Sequence, residues 1–241
     1  MIIYGKNLIY DAIKSKRGPV VNVCVSESFT DEKYLNLLKD NFIKYKVVNN
    51  QDFNNLLKKN KIELQNHQSI TAFVDDYKYY DISEIINNDH KNLRILILDQ
   101  INDPHNLGAI LRTLVGASYD YLIISKDNQV QLNNTVAKVS SGAIEYAKVV
   151  LVNNLNKAIK DLKNENILVV GADISGSVNY KDLARNNTNN SLALILGSEG
   201  SGMRALVRKN CDFLVKIPIS LSINSLNVSV ACGILLFNNL K

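Results

Sequence analysis

Apolar residues along this chain fall into two alternating rhythms. Short β-branched runs give way to longer segments in which they return every three or four positions, a pattern that predicts strands interleaved with helices. Helices are expected over residues 8–14, 31–38 and 53–59, and strands over 20–25, 44–48 and 70–74, forming a compact α/β unit. Residues 76–92 turn polar and aromatic, with Tyr77, Tyr79, Tyr80, Asn87, Asn88 and Asp89, and read as a linker able to dock a short helix. A second series follows, with strands over 95–98, 121–124, 147–152, 167–170, 192–196 and 214–217. Its helices are expected over 106–117, 135–140 and 155–165, after Gly202, and over 226–240. Apolar strands alternating with helices argue for a mostly parallel sheet covered on both faces. The expected division is 1–75, a linker at 76–92, and 93–241.

Composition changes this picture little. With 46% apolar and 21% charged residues in 241, the chain is an ordinary globular sequence, long enough for one large or two small cores. The net charge of +5 favours an anionic partner such as nucleic acid without requiring one. No apolar run approaches the roughly 18 residues that span a bilayer. The start Met1, Ile2, Ile3, Tyr4, Gly5, Lys6 lacks the layout of a secretory signal, so a cytoplasmic protein with no membrane partner is expected. Cys24, Cys211 and Cys232 are widely spaced, as are His67, His90 and His105, so neither a disulfide framework nor a metal site is expected.

Candidate chemistry gathers at three junctions where a strand hands over to a helix, the places where open α/β sheets bind ligands. The first carries Asp103, Pro104 and Asn106, with Asn106 at the expected N-cap position. Arg112 follows among Ile110, Leu111, Leu114 and Val115. It is either a surface cation or a guanidinium placed for bidentate phosphate binding and stabilisation of developing negative charge. The second junction spaces Gly197, Gly200 and Gly202 as G-x-x-G-x-G and puts Met203 where a phosphate loop needs Lys, so both nucleotide-loop readings fail. Either the glycines let backbone approach a ligand beside the Glu199 carboxylate, or the segment is a flexible turn. At the third junction, within residues 217–231, Ser225 is expected to cap the last helix and Asn227 to lie in its first turn. Leu226, Val230, Ile234 and Phe237 are expected to form that helix's buried stripe.

These residues carry a resemblance. Residues 102–113, 196–203 and 217–231 resemble motifs one, two and three of the SpoU family of RNA ribose 2′-O-methyltransferases, in the SPOUT superfamily. The N-terminal Tyr4, Gly5, Lys6, Asn7 and the His67, Gln68, Ser69, Ile70 step resemble the substrate-binding domain of the branch that methylates a guanosine in the peptidyl-transferase region of 23S rRNA. The resemblance implies a C-terminal α/β domain tied in a deep trefoil knot, preceded by a small N-terminal α/β domain that binds substrate. It implies S-adenosylmethionine as cofactor, held by backbone around Gly197, Ile217 and Leu226, and a homodimer with the site near its interface. Asn106, Arg112, Glu199, Ser225 and Asn227 match the family's catalytic and substrate-site positions, while Ser201 replaces a frequent Glu.

The implied reaction is displacement at a sulfonium methyl group by a ribose hydroxyl, which needs alignment and loss of a proton but no metal. A guanidinium is a poor proton acceptor at neutral pH, so Arg112 is expected to stabilise the developing alkoxide and the adjacent phosphate rather than act as base. The expected RNA is 23S rRNA or a large-subunit precursor; a tRNA, a resistance-type rRNA target, or an inactive RNA-binding assembly factor are the alternatives. Lys58, Lys59 and Lys61, and the tyrosines Tyr77, Tyr79 and Tyr80 beside Lys78, either touch RNA or serve the fold.

Overall fold

The computed structural model describes residues 1–60, 62, 67–87, 92–186, 190–220 and 222–239. Lys61, Asn88, Asp89, His90, Leu221 and Leu240, all part of the expectations above, lie outside the described residues. The chain forms two compact units, Met1–Tyr77 with Leu132–Tyr146, and Lys78–Gln131 with Ala147–Lys241.

The first unit contains β1 (Ile2–Tyr4), α1 (Lys6–Ser15), β2 (Val20–Ser26), α2 (Glu32–Asp40), β3 (Tyr45–Val48), α3 (Asn50–Lys59) and β4 (Ile70–Val74). Its sheet runs β1-β4-β2-β3, with β4 antiparallel to both neighbours and β2 parallel to β3. Strand β1 was not expected, because three residues are too few to show a period. Asp31 and Asn49 accept backbone N–H groups at the starts of α2 and α3, the capping that sets where those helices begin. Phe53 and Leu57 from α3 are buried with Ile2, against Tyr4, Cys24 and Phe73. Lys58 and Lys59 are exposed in the last turn of α3, where cations suit the helix dipole.

The second unit holds α4 (Ser83–Ile86), β5 (Arg94–Asp99), α5 (Pro104–Gly116), β6 (Tyr121–Ser125), β7 (Val149–Val152), α7 (Leu155–Asn164), β8 (Leu168–Ala172), β9 (Val178–Asn179), α8 (Tyr180–Asn186), β10 (Leu192–Gly197), α9 (Ala205–Asn210), β11 (Phe213–Lys216) and α10 (Val228–Asn238). The helix numbered between α5 and α7, α6 (Asn134–Val139), belongs to the first unit. The seven-stranded sheet has the order β7-β6-β5-β10-β8-β11-β9, and every neighbouring pair is parallel. Central strands β5 and β10 are almost wholly buried, as expected of runs such as Ile95, Leu96, Ile97, Leu98 with helices on both faces. The mostly parallel α/β reading therefore holds.

Three expectations need correction. The residues between the two series do not form one linker. Tyr77 belongs to the first unit, under the Arg17 guanidinium at 3.8 Å, whereas Tyr80 bridges to Val150 in the second. Leu132–Tyr146, which interrupts the second series, is part of the first unit: the Lys138 ammonium sits over the Tyr4 ring at 4.8 Å, and Glu145 accepts from Arg17 and Tyr77. The buried stripe of α10 is also different. Val228, Cys232, Leu235 and Leu236 are buried, while Val230 and Phe237 are 52% and 53% exposed. This helix is apolar nearly all round, so its pattern cannot say which face turns inward.

Candidate functional site

Helix α5 begins two residues earlier than expected. The Asp103 side chain accepts the His105 N–H at 2.8 Å and Pro104 occupies the first turn, so Asp103 is the N-cap and Asn106 is released from capping. At the other junction Asn227, not Ser225, caps α10, accepting from the N–H groups of Ser229 at 3.0 Å and Val230 at 3.4 Å. An Asp followed by Pro was the sequence signal for the first of these caps.

With the caps reassigned, three side chains from three junctions meet. Asn106 Nδ2 donates to Glu199 Oε1 at 3.1 Å, and Asn227 Nδ2 donates to Asn106 Oδ1 at 3.0 Å. Asn227 Nδ2 also donates to Glu199 Oε1, which the Val228 N–H reaches at 3.3 Å. Three of these four bonds converge on one carboxylate oxygen, and the fourth ties Asn227 to Asn106. Glu199 Oε2 takes no bond among the described residues, and the side chain is exposed. The carboxylate thus faces outward at the N-terminus of α10, oriented by neutral amides.

The turn carrying Glu199 is braced from both sides. Ser198 and Gly202 exchange backbone hydrogen bonds of 3.1 and 2.9 Å, and the Ser198 and Ser201 hydroxyls are 2.7 Å apart. Gly202 has φ 67°, a conformation open to glycine at little cost. A Cβ on Gly197 would come within 2.2 Å of the Gly202 carbonyl carbon, so the two backbones touch only because no side chain intervenes. Below the turn lies a feature the sequence reading missed. Asp99, fully buried at the end of β5, accepts from the Arg204 N–H and Nε at 2.8 Å each, with Nη2 at 2.7 Å. The buried carboxylate thus holds the Arg204 guanidinium through Oδ1 and its backbone N–H through Oδ2, which fixes the exit of the turn.

Beside the trio opens a cavity of about 410 Å³, walled by the loops that follow β8, β10 and β11. Gly197, Ile217, Ser225 and Leu226, all expected at a binding site, line it. Apolar walls come from Ile174, Leu196, Ile219 and Val228. The β8 loop adds a group not anticipated: Asp173 and Ser175 line the cavity with Arg208, whose guanidinium donates to the Ser175 hydroxyl and lies 3.6 Å from Asp173. Spacing could not reveal this cluster, because its members lie on elements apart in sequence.

Arg112 is not brought into this group. It lies exposed on α5, with no hydrogen bond or ion pair among the described residues, although Ile110, Leu111 and Leu114 beside it in sequence are buried. Burial pushes the Cys211 thiol up to about 11 and the Cys232 thiol up to about 12, so neither supplies a thiolate near neutrality. Among the described residues no cluster of His, Cys, Asp and Glu could hold a metal ion, and no helix is long and apolar enough to cross a membrane.

Comparison with known proteins places this geometry. The SpoU rRNA methylase family matches residues 93–237, and the domain family for RNA 2′-O ribose methyltransferase substrate binding matches residues 2–80. A Staphylococcus epidermidis protein named for the TrmH family of tRNA/rRNA methyltransferases is 35% identical over 98% of this chain and 94% of its own length. One of Staphylococcus haemolyticus is 36% identical over the same shares. Among solved structures, the SpoU methyltransferase AviRb from Streptomyces viridochromogenes in complex with AdoMet superposes with a TM-score of 0.81 at 19% identity, covering 99% of this chain and 88% of that one. An AdoMet-bound rRNA methyltransferase from Sinorhizobium meliloti gives 0.79 at 20%, covering 99% and 85%. The chain therefore belongs to the SpoU/TrmH family of RNA methyltransferases.

Proposed function

We propose that this protein transfers the methyl group of S-adenosylmethionine to a ribose 2′-hydroxyl of RNA, with a guanosine of 23S rRNA in the peptidyl-transferase region as its target. The observation that carries this reading is the outward-facing Glu199 carboxylate, held by Asn106 and Asn227 at the rim of the cavity.

The cavity suits the cofactor. Its volume lies within the range of small-molecule sites, and a flat purine needs apolar walls such as Leu196, Ile217 and Leu226 offer. Hydroxyl and amino groups find partners in exposed backbone at 197–202 and in Asp173 and Ser175. Bound there, the cofactor supplies an electrophilic methyl group on a cationic sulfur. Glu199 gives that cation an anionic neighbour, while Asn106 and Asn227 keep Glu199 from swinging away; Asp173, across the cavity lining, is paired with Arg208. Ser225 and Asn227 are positioned to orient the ribose. Arg112, exposed and uncommitted, is available to an RNA phosphate and to the alkoxide that develops as the hydroxyl loses its proton.

We place the protein in the cytoplasm and assign it a homodimeric state. The exposed Val230 and Phe237 on α10 support a dimer, since apolar side chains gathered on one helix suit a covered face. The test is nucleotide-resolution mapping of ribose methylation on rRNA and tRNA from cells with and without the protein, alongside calorimetric titration with S-adenosylmethionine. Loss of one 23S mark in the null strain supports the reading, and loss of a tRNA mark reassigns the substrate. Absence of any change together with absence of cofactor binding sinks it.

A further inference from the structure

Helix α2 ends in a left-handed turn at an unusual residue. The Phe42 N–H bonds to the Lys39 carbonyl at 2.9 Å and the Ile43 N–H to the Leu38 carbonyl at 2.8 Å, the paired bonds of a Schellman motif. Phe42 is the residue that turns left-handed, at φ 56°. That position is ordinarily Gly or Asn, because a bulky side chain is strained there. The ring gains nothing from burial in return, being 95% exposed. Thus Phe42 carries backbone strain and an unburied aromatic surface together.

The surroundings narrow what could use it. Lys39, Lys44 and Lys46, all within four residues of Phe42 along the chain, are exposed, and Asp40 is the one carboxylate among residues 39–46. The following strand, β3, is an edge of its sheet. A protruding aromatic ring amid cations is the pairing that grips single-stranded nucleic acid, with the ring stacking on a base and the ammonium groups meeting phosphates.

We propose that Phe42 is a base-stacking tip of the first unit, taking an unpaired base of the RNA substrate while Lys39, Lys44 and Lys46 hold the flanking phosphates. This rests on the RNA-methyltransferase reading above and adds a contact to it. Stacking tolerates any base, so the tip contributes affinity and register rather than sequence choice.

The test uses the full chain, in vitro transcribed 23S rRNA as probe, and labelled S-adenosylmethionine. Phe42→Asn should keep or raise the melting temperature, since Asn suits the left-handed turn, while RNA affinity falls about 5- to 50-fold. Cofactor affinity and turnover at saturating RNA should stay at the wild-type level, and Phe42→Trp should retain binding. Replacing Lys44 and Lys46 by Gln should lower the slope of log affinity against log salt by about two. Wild-type affinity in Phe42→Asn overturns the proposal, as does an equal loss in Phe42→Trp. Loss of self-association in Phe42→Asn with RNA binding intact overturns it in favour of a protein contact. If the wild type itself binds no RNA and transfers no methyl group, the enzymatic reading fails and takes this proposal with it.

Discussion

Two glutamates, one in each unit, each gather a cluster of hydrogen-bond donors and end with opposite character. Glu145 is buried, its side chain 1% exposed, and it accepts from Arg17 Nε at 2.9 Å, the Tyr77 hydroxyl at 2.6 Å and Ser15 at 3.4 Å. Its charge is balanced by a guanidinium. Glu199 is exposed, and its partners among the described residues are two amides and a backbone N–H, which orient the charge without neutralising it. A carboxylate whose charge is cancelled inside the protein holds structure together, whereas one left uncancelled at a cavity rim remains available to a cationic ligand.

The largest break of this contrast is Glu145→Ala. It removes one partner of a buried pair and should destabilise the protein by about 3 kcal/mol, at the low end of such deletions because Arg17 can turn to solvent. Urea unfolding measures it, and a change under about 1 kcal/mol would show that the cluster is ornamental. Arg112→Ala comes next, lowering methyl transfer about 100-fold with cofactor affinity unchanged. Arg112→Lys should recover little of this, so near-normal turnover in that variant would refute the need for a planar bidentate cation. Glu199→Gln then sharpens the comparison directly: stability should hold within about 1 kcal/mol, while cofactor affinity drops about tenfold from loss of the uncancelled charge. Equal affinity in calorimetry would reduce Glu199 to a brace.

The smallest effect concerns acid. Hydrogen bonds from Lys6 and then from the Tyr34 N–H hold the Asp31 carboxyl below its ordinary value. Its contribution to stability is therefore present above the unfolded-state value and lost as pH falls through the lowered folded one. Asp31→Asn should therefore lower stability slightly at neutrality, the two proteins converging as pH falls below about 4, which urea unfolding across that range measures.

Much of the second unit was legible because β5 and β10 are unbroken apolar runs and the Asn106, Glu199 and Asn227 segments keep recognisable spacing. The caps were displaced, from Asn106 to Asp103 and from Ser225 to Asn227, since several polar side chains compete at each helix start and only geometry decides which one turns back. The Asp99–Arg204 pair and the Asp173, Ser175 and Arg208 group were invisible, because partners over 30 residues apart leave no period in a sequence. Helix α10 hid its inner face for the opposite reason, having too many apolar positions rather than too few.

The placement of Leu132–Tyr146 has a consequence for dissecting this molecule. Peptide bonds cross between the units after Tyr77, Gln131 and Tyr146, so no single cut separates them. A fragment starting at residue 78 would keep Val136, Ala137 and Ile144, buried in the whole chain, but lose Tyr4, Asp11, Arg17 and Tyr77, which engage Lys138, Tyr146 and Glu145. Such a truncation would expose a sticky apolar stub with an orphaned carboxylate.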